Sequence, residues 1–158
     1  MAVSQAQEAV KELMEHLLQE GKDVRVAIHP VAGRMPGHMN VLLAEVDVSY
    51  EYLFSLEQIN DRFADTDAVL IVGANDVVNP AALTEKGTAI YGMPILHAHE
   101  AKHVIVANFD TAPGYAGVGN ALYDADHCHL LLGDAKQSLN MLLRTMRQGS
   151  TATGVDPY

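Results

Sequence analysis

At 158 residues, with 49% hydrophobic and 19% charged side chains, the chain has the size and make-up of one packed domain, which excludes a disordered polymer, a collagenous repeat and a coiled coil. A formal charge of -10, from 10 Lys and Arg against 20 Asp and Glu, repels nucleic acid and anionic lipid, and the basic residues are scattered singly. The one cysteine, Cys128, permits no internal disulfide and points to a reducing, cytoplasmic setting, while no apolar run approaches the ~20 residues that span a bilayer, so neither a membrane segment nor an export signal is expected.

From Ala6 through Val10, Leu13, Met14, Leu17 and Leu18, apolar residues recur at three- and four-residue steps and stop at Gly21. That is the spacing of an amphipathic helix closed by a glycine in the C′ position. Ser4 and Gln7 have capping-box spacing at its start. Val24, Val26 and Ile28 alternate with Arg25, Ala27 and His29, as in a strand with two different faces. Helices are expected around residues 38–45 and 56–63. Residues 67–73 (DAVLIVG), 103–107 (HVIVA) and 129–132 (HLLL) are apolar runs of the kind found in central parallel strands, and 93–96 (MPIL) is a weaker candidate. In residues 135–147, Leu139, Leu142, Leu143 and Met146 share one helical face. The domain is therefore expected over residues 1–147, with a flexible polar tail over 148–158.

Strands alternating with helices imply an α/β domain around a parallel sheet, with its ligand crevice at the carboxyl ends of the strands. Four loops follow those ends: residues 30–37 (PVAGRMPG), 73–76 (GAND), the segment holding Pro113, Gly114, Gly117 and Gly119, and 133–136 (GDAK). Glycine lets backbone approach a pyrophosphate, and helix N-termini favour its charge, so four such loops at one edge suit a dinucleotide. Any one of them alone is an ordinary turn.

Five segments match something specific: residues 27–45 (AIHPVAGRMPGHMNVLLAE), 63–82 (FADTDAVLIVGANDVVNPAA), 92–94 (GMP), 114–118 (GYAGV) and 132–136 (LGDAK). Together they closely resemble the NADP(H)-binding domain III of proton-translocating nicotinamide nucleotide transhydrogenase, in its beta subunit. The resemblance extends to about Arg147. It implies a Rossmann-like, doubly wound parallel sheet that holds NADP(H) with its nicotinamide exposed toward an NAD(H)-binding partner subunit. Hydride passes directly between the two, coupled to proton movement through a membrane subunit, and the chain itself would sit at the periphery of that complex. The implied ligand-binding residues are Arg34, Gly73, Asn75, Asp76 and Asn79, then Gly114 and Tyr115 in a lid loop, and Gly133, Asp134 and Lys136 beside the adenosine. Arg34 offers a planar fork to a phosphate, and Asp76 accepts hydrogen bonds from a carboxamide or ribose. No catalytic acid or base is implied, because hydride transfer needs alignment of two nicotinamides.

Two departures from the family pattern bear on function. The family domain opens with a strand and a G-Y-G-M-A-V turn, whereas this sequence begins Met1-Ala2-Val3, so the first strand and two fingerprint glycines are expected to be missing. Open sheet edges would then favour a homo-oligomer or a strand-donating partner. In the lid, the family carries Lys-Arg-Ser to grip the 2′-phosphate of NADP, and Asn108, Phe109 and Asp110 stand here. Asp110 suits a free ribose hydroxyl and thus NAD. The second reading is a non-catalytic regulatory or assembly module with weakened NADP binding.

Ligand-free explanations stand beside each assignment. Arg34 serves equally as a solvated surface residue, Asp76 as a helix cap, and Asn79 before Pro80 as a turn and helix start. His97 and His99, two apart, would face the same way on a strand, near Glu100 and His103, and His127, Cys128 and His129 form a second cluster. No zinc-finger spacing is present, so these read as structural histidines with no metal site, and Cys128 as a small core residue.

Overall fold

Ala9, Leu13 and Met14 are buried along one face of α1 (Gln7–Gln19) in the computed structural model, which describes residues 6–30 and 37–153. The helix ends as its sequence demands. Gly21 adopts φ 79, its N–H donates to the Leu18 carbonyl at 3.0 Å, and Lys22 N–H donates to the Leu17 carbonyl at 3.0 Å. These two bonds form a Schellman closure that satisfies carbonyls left over at the helix end. Ser4 lies outside the described residues, and Ala6, with no capping side chain, precedes the first turn.

Among the described residues, five short strands, all paired in parallel, form two sheets. β1 (Val26–Ile28) pairs with β2 (Leu53–Ser55), in register Val26 with Leu53, and α2 (His38–Glu45) connects them. β3 (Ala68–Val72), β4 (His103–Asn108) and β5 (Cys128–Leu132) form the second sheet in that order. Parallel strands joined by helices are those of a Rossmann-like α/β fold, and the one expected sheet appears as two among the described residues. Short α3 (Leu56–Ile59) and α4 (Ala81–Thr84) and the long α5 (Ala135–Thr153) complete the framework.

Alternation along β3 and β4 explains why both faces are covered. Val69, Ile71, Val104 and Val106 point to one side, against Ile59, Phe63, Leu96 and Leu122. Leu70, Val72 and Ala107 point to the other, against α1 and α5 through Ala9, Leu13, Leu139 and Leu143. Full burial of a Val or Leu contributes about 1.5–3 kcal/mol, so a five-residue strand apolar on both faces holds its place by packing as much as by its ladder.

Four expectations need correction. Residues 93–96 form no strand: Pro94 accepts from His29 Nε2 at 2.6 Å, and Asn60 takes both the Ile95 carbonyl (2.9 Å) and the His97 N–H (3.0 Å) on its side-chain amide. One amide thus does the work of a neighbouring strand. His97 precedes the 3-10 turn Ala98–Glu100, so the two imidazoles are not on a strand; their rings stand 5.8 Å apart. The helix expected over 56–63 closes as α3 at Ile59 and continues as a 3-10 segment, Asn60–Asp65. Lastly, α5 runs to Thr153, so residues 148–153 of the expected tail are helical and 154–158 lie outside the described residues.

Candidate functional site

Three of the four strand-end loops converge at the carboxyl edge of β3, β4 and β5. Asn108, the last residue of β4, is buried, and its amide spans the crevice floor. Its Oδ1 accepts the Gly73 N–H at 2.8 Å, while Nδ2 donates to the Ala74 carbonyl at 2.9 Å and to the Tyr123 hydroxyl at 3.0 Å. Gly133, after β5, donates its N–H to the carbonyls of Asn108 (3.0 Å) and Phe109 (3.1 Å). The loops after β3, β4 and β5 are therefore stitched to one another by a side chain and a backbone amide.

Above this floor, residues 109–120 fold over residues 75–79. Asn75 Nδ2 donates to the Ala112 carbonyl at 2.9 Å, and Asn120 Nδ2 donates to the Asn75 carbonyl and Oδ1, both at 3.3 Å. Asn79 is fully buried; its Nδ2 donates to the carbonyls of Val118 (3.4 Å) and Gly119 (3.2 Å), and its Oδ1 accepts the Ala81 N–H at 3.0 Å. Asn79 thus starts α4 and anchors the lid together. Asp76 does not cap the turn that follows it. Its Oδ2 reaches across to accept the Ala116 N–H at 3.1 Å, and its Oδ1 is buried without a hydrogen-bond partner among the described residues. Only a glycine fits opposite: a Cβ at position 114 would lie 2.7 Å from Asp76 Oδ2.

The remaining expected residues divide between structure and surface. Asp110 Oδ1 accepts the Ala112 N–H at 2.9 Å and so shapes the start of the lid, leaving its other oxygen outward. Asp134 Oδ2 accepts the Gln137 N–H at 3.1 Å and caps α5, with Lys136 exposed in the first turn. Tyr115 is fully exposed and, with Pro113 and Gly114, lines an open hollow of about 340 Å³. Arg34 lies outside the described residues. The family comparison marks Asn108 only as a departure and gives Asn120 no role; the signals available were an asparagine closing an apolar strand for Asn108 and a Gly119-Asn120 turn before a helical start for Asn120.

A buried carboxylate oxygen with no donor, beside a glycine that admits no side chain, is the fit a ligand N–H or hydroxyl would complete. The family model described as NAD(P) transhydrogenase beta subunit matches residues 1–145. The chain belongs to that family. Two relatives from Rhodospirillum rubrum, both described as NAD(P) transhydrogenase subunit beta, are each 50% identical over 146 residues, which is 92% of this chain and 32% of each relative. This beta-subunit family member therefore spans about a third of the length of the curated relatives it matches.

Away from the crevice, the beta-subunit chain carries a histidine cluster at the opposite end of β4. His97 Nδ1 lies 3.7 Å from a Glu100 oxygen, His127 Nε2 donates to the His99 carbonyl at 2.9 Å, and His99 Nδ1 is buried without a partner among the described residues. Burial lowers the His99 pKa, Glu100 opposes that, and His97 and His127 add to it. Among the described residues no group of three or more His, Cys, Asp or Glu converges to hold a metal. Burial, with Asp124 second, pushes the Cys128 thiol up and keeps it protonated. Among the described residues no helix is long and apolar enough to cross a membrane.

Proposed function

We propose that this chain is the dinucleotide-holding component of a nicotinamide nucleotide transhydrogenase, seated at the periphery of a membrane complex on the cytoplasmic side. It binds one dinucleotide, NADP(H) or NAD(H), along the edge formed by residues 73–79, 109–120 and 133–136. The bound nicotinamide meets a second dinucleotide carried by a partner subunit. The observation that carries this reading is the buried Oδ1 of Asp76, which has no partner among the described residues and is set beneath a lid that Asn75, Asp76 and Asn79 hold in place.

When bound, the dinucleotide supplies the hydride chemistry, and the protein supplies position. Asp76 accepts a hydrogen bond from the ligand's carboxamide or ribose, and Gly114 leaves room for the Asp76 carboxylate itself. The lid backbone excludes water, and Gly133 gives close approach at the adenosine end. No side chain need exchange a proton with the reacting carbon, which matches a site of amides and glycines. Coupling to proton movement belongs to a membrane subunit, by family.

Native mass spectrometry and calorimetric titration of the full chain with NADPH, NADH and ADP-ribose test the reading. One bound dinucleotide per chain is expected, weakened about tenfold or more in Asp76→Asn, which replaces a charged acceptor by a neutral one. Failure of every dinucleotide to bind at millimolar concentration would leave the non-catalytic module as the better account.

A further inference from the structure

We propose that the ribose end of this crevice rejects a 2′-phosphate and selects a dinucleotide with a free 2′-hydroxyl, with Asp110 as the specificity-determining residue. The inference rests on the dinucleotide reading above, in which residues 133–136 lie beside the adenosine.

The bonds from Gly133 N–H to the carbonyls of Asn108 and Phe109 place residues 108–110 directly against that end. Asn108 cannot serve a ligand there. Its amide is turned inward and spent on Gly73, Ala74 and Tyr123, and turning it outward would strand the Ala74 carbonyl and the Tyr123 hydroxyl. Phe109, 77% exposed, offers a flat apolar face and no charge. Asp110 is the first residue at this edge able to meet a polar ligand group. One of its oxygens holds Ala112 N–H, and the other has no partner among the described residues.

Charge decides what that oxygen accepts. Among the described residues of the loops after β4 and β5 at this edge, Asp110 and Asp134 stand against one cation, Lys136. Lys136 is exposed, and a single solvated lysine contributes little. A phosphate monoester carries nearly two negative charges and needs a guanidinium or ammonium in contact. A ribose hydroxyl donates to a carboxylate, as acidic residues do in dinucleotide sites that take the unphosphorylated ribose. The balance at this edge favours the hydroxyl.

The test titrates the full chain with NADH and NADPH, and with ADP-ribose and its 2′-phosphate, which isolate the ribose end from the nicotinamide. NADH and ADP-ribose are expected to bind at least about tenfold tighter than their phosphorylated counterparts. Asp110→Ser keeps an oxygen for the Ala112 turn and removes the charge; it should bring each pair to within about threefold, mainly by improving the phosphorylated member. Raising salt to about 0.5 M should narrow the wild-type ratio in the same direction, which a steric cause would not do. Equal or tighter binding of NADPH overturns the proposal, as does an unchanged ratio in a folded Asp110→Ser. Absence of binding by all four overturns the dinucleotide reading itself.

Discussion

The Asp76 carboxylate fills the space in which any side chain at Gly114 would begin, with Oδ2 at 2.7 Å and Oδ1 at 2.8 Å from a Cβ there. Gly114→Ala must therefore drive the carboxylate off Ala116 N–H, since the loop backbone on the other side is held by Asn75. We expect a loss of about 1–3 kcal/mol in urea unfolding and weaker dinucleotide binding. In the background of Asp76→Ala the same substitution should cost much less, and a double-mutant cycle measures the difference. Additive losses would mean that the two residues do not meet.

Asn108 joins the ends of β3 and β4 to Tyr123 through both ends of its amide. Asn108→Leu keeps the volume and leaves the Ala74 carbonyl and Tyr123 hydroxyl without this donor. The expected cost is about 2–4 kcal/mol by denaturant titration, larger than for an average substitution. A loss under about 0.5 kcal/mol would show that water replaces the amide.

Stability should fall on acidification through the histidine cluster. Burial, the largest influence, holds His99 below its ordinary 6.5; Glu100 opposes the drop, and His97 and His127 add to it. As pH falls, the unfolded chain takes up this proton before the folded one. The contribution is thus complete above about 6.5 and is lost as pH drops through that value toward the folded pKa. Comparing urea midpoints at pH 7.5 and 5.5, the fall should be smaller in His99→Gln than in the parent. Identical falls in both proteins would remove His99 from the account.

Cys128 should be a slow nucleophile. Its thiol is half-buried and raised in pKa by burial and then by Asp124, so little thiolate is present near neutral pH. Alkylation by iodoacetamide at pH 7.5 is expected to run at least about tenfold slower than in the urea-unfolded chain. Equal rates would mean that the strand opens readily.

What could be read in advance follows from how each residue acts. α1, the Gly21 closure and the runs that became β3, β4 and β5 were legible because burial imposes a period on neighbouring residues. β2, three residues long, carries too few side chains to show one. The segment 93–96 has the composition of a strand, yet its polar backbone is met by the Asn60 amide and His29, partners 35 and 65 residues away in sequence. The candidate site divides similarly. Asp76, Asn79 and Gly114 stand out only through the family resemblance, and that Asp76 crosses to the lid, or that Asn108 is a fastening in the floor, depends on contacts no local pattern encodes.

Val10 belongs to the cluster beneath β3 to β5 and also to the one beneath β1 and β2, and on the opposite face Ala27 and Phe54 join the core around Ile71. The two sheets share oil but no rungs among the described residues. Side-chain packing through Val10, Ala27 and Phe54 therefore joins the two sheets, so a polar residue at any of the three would loosen both at once.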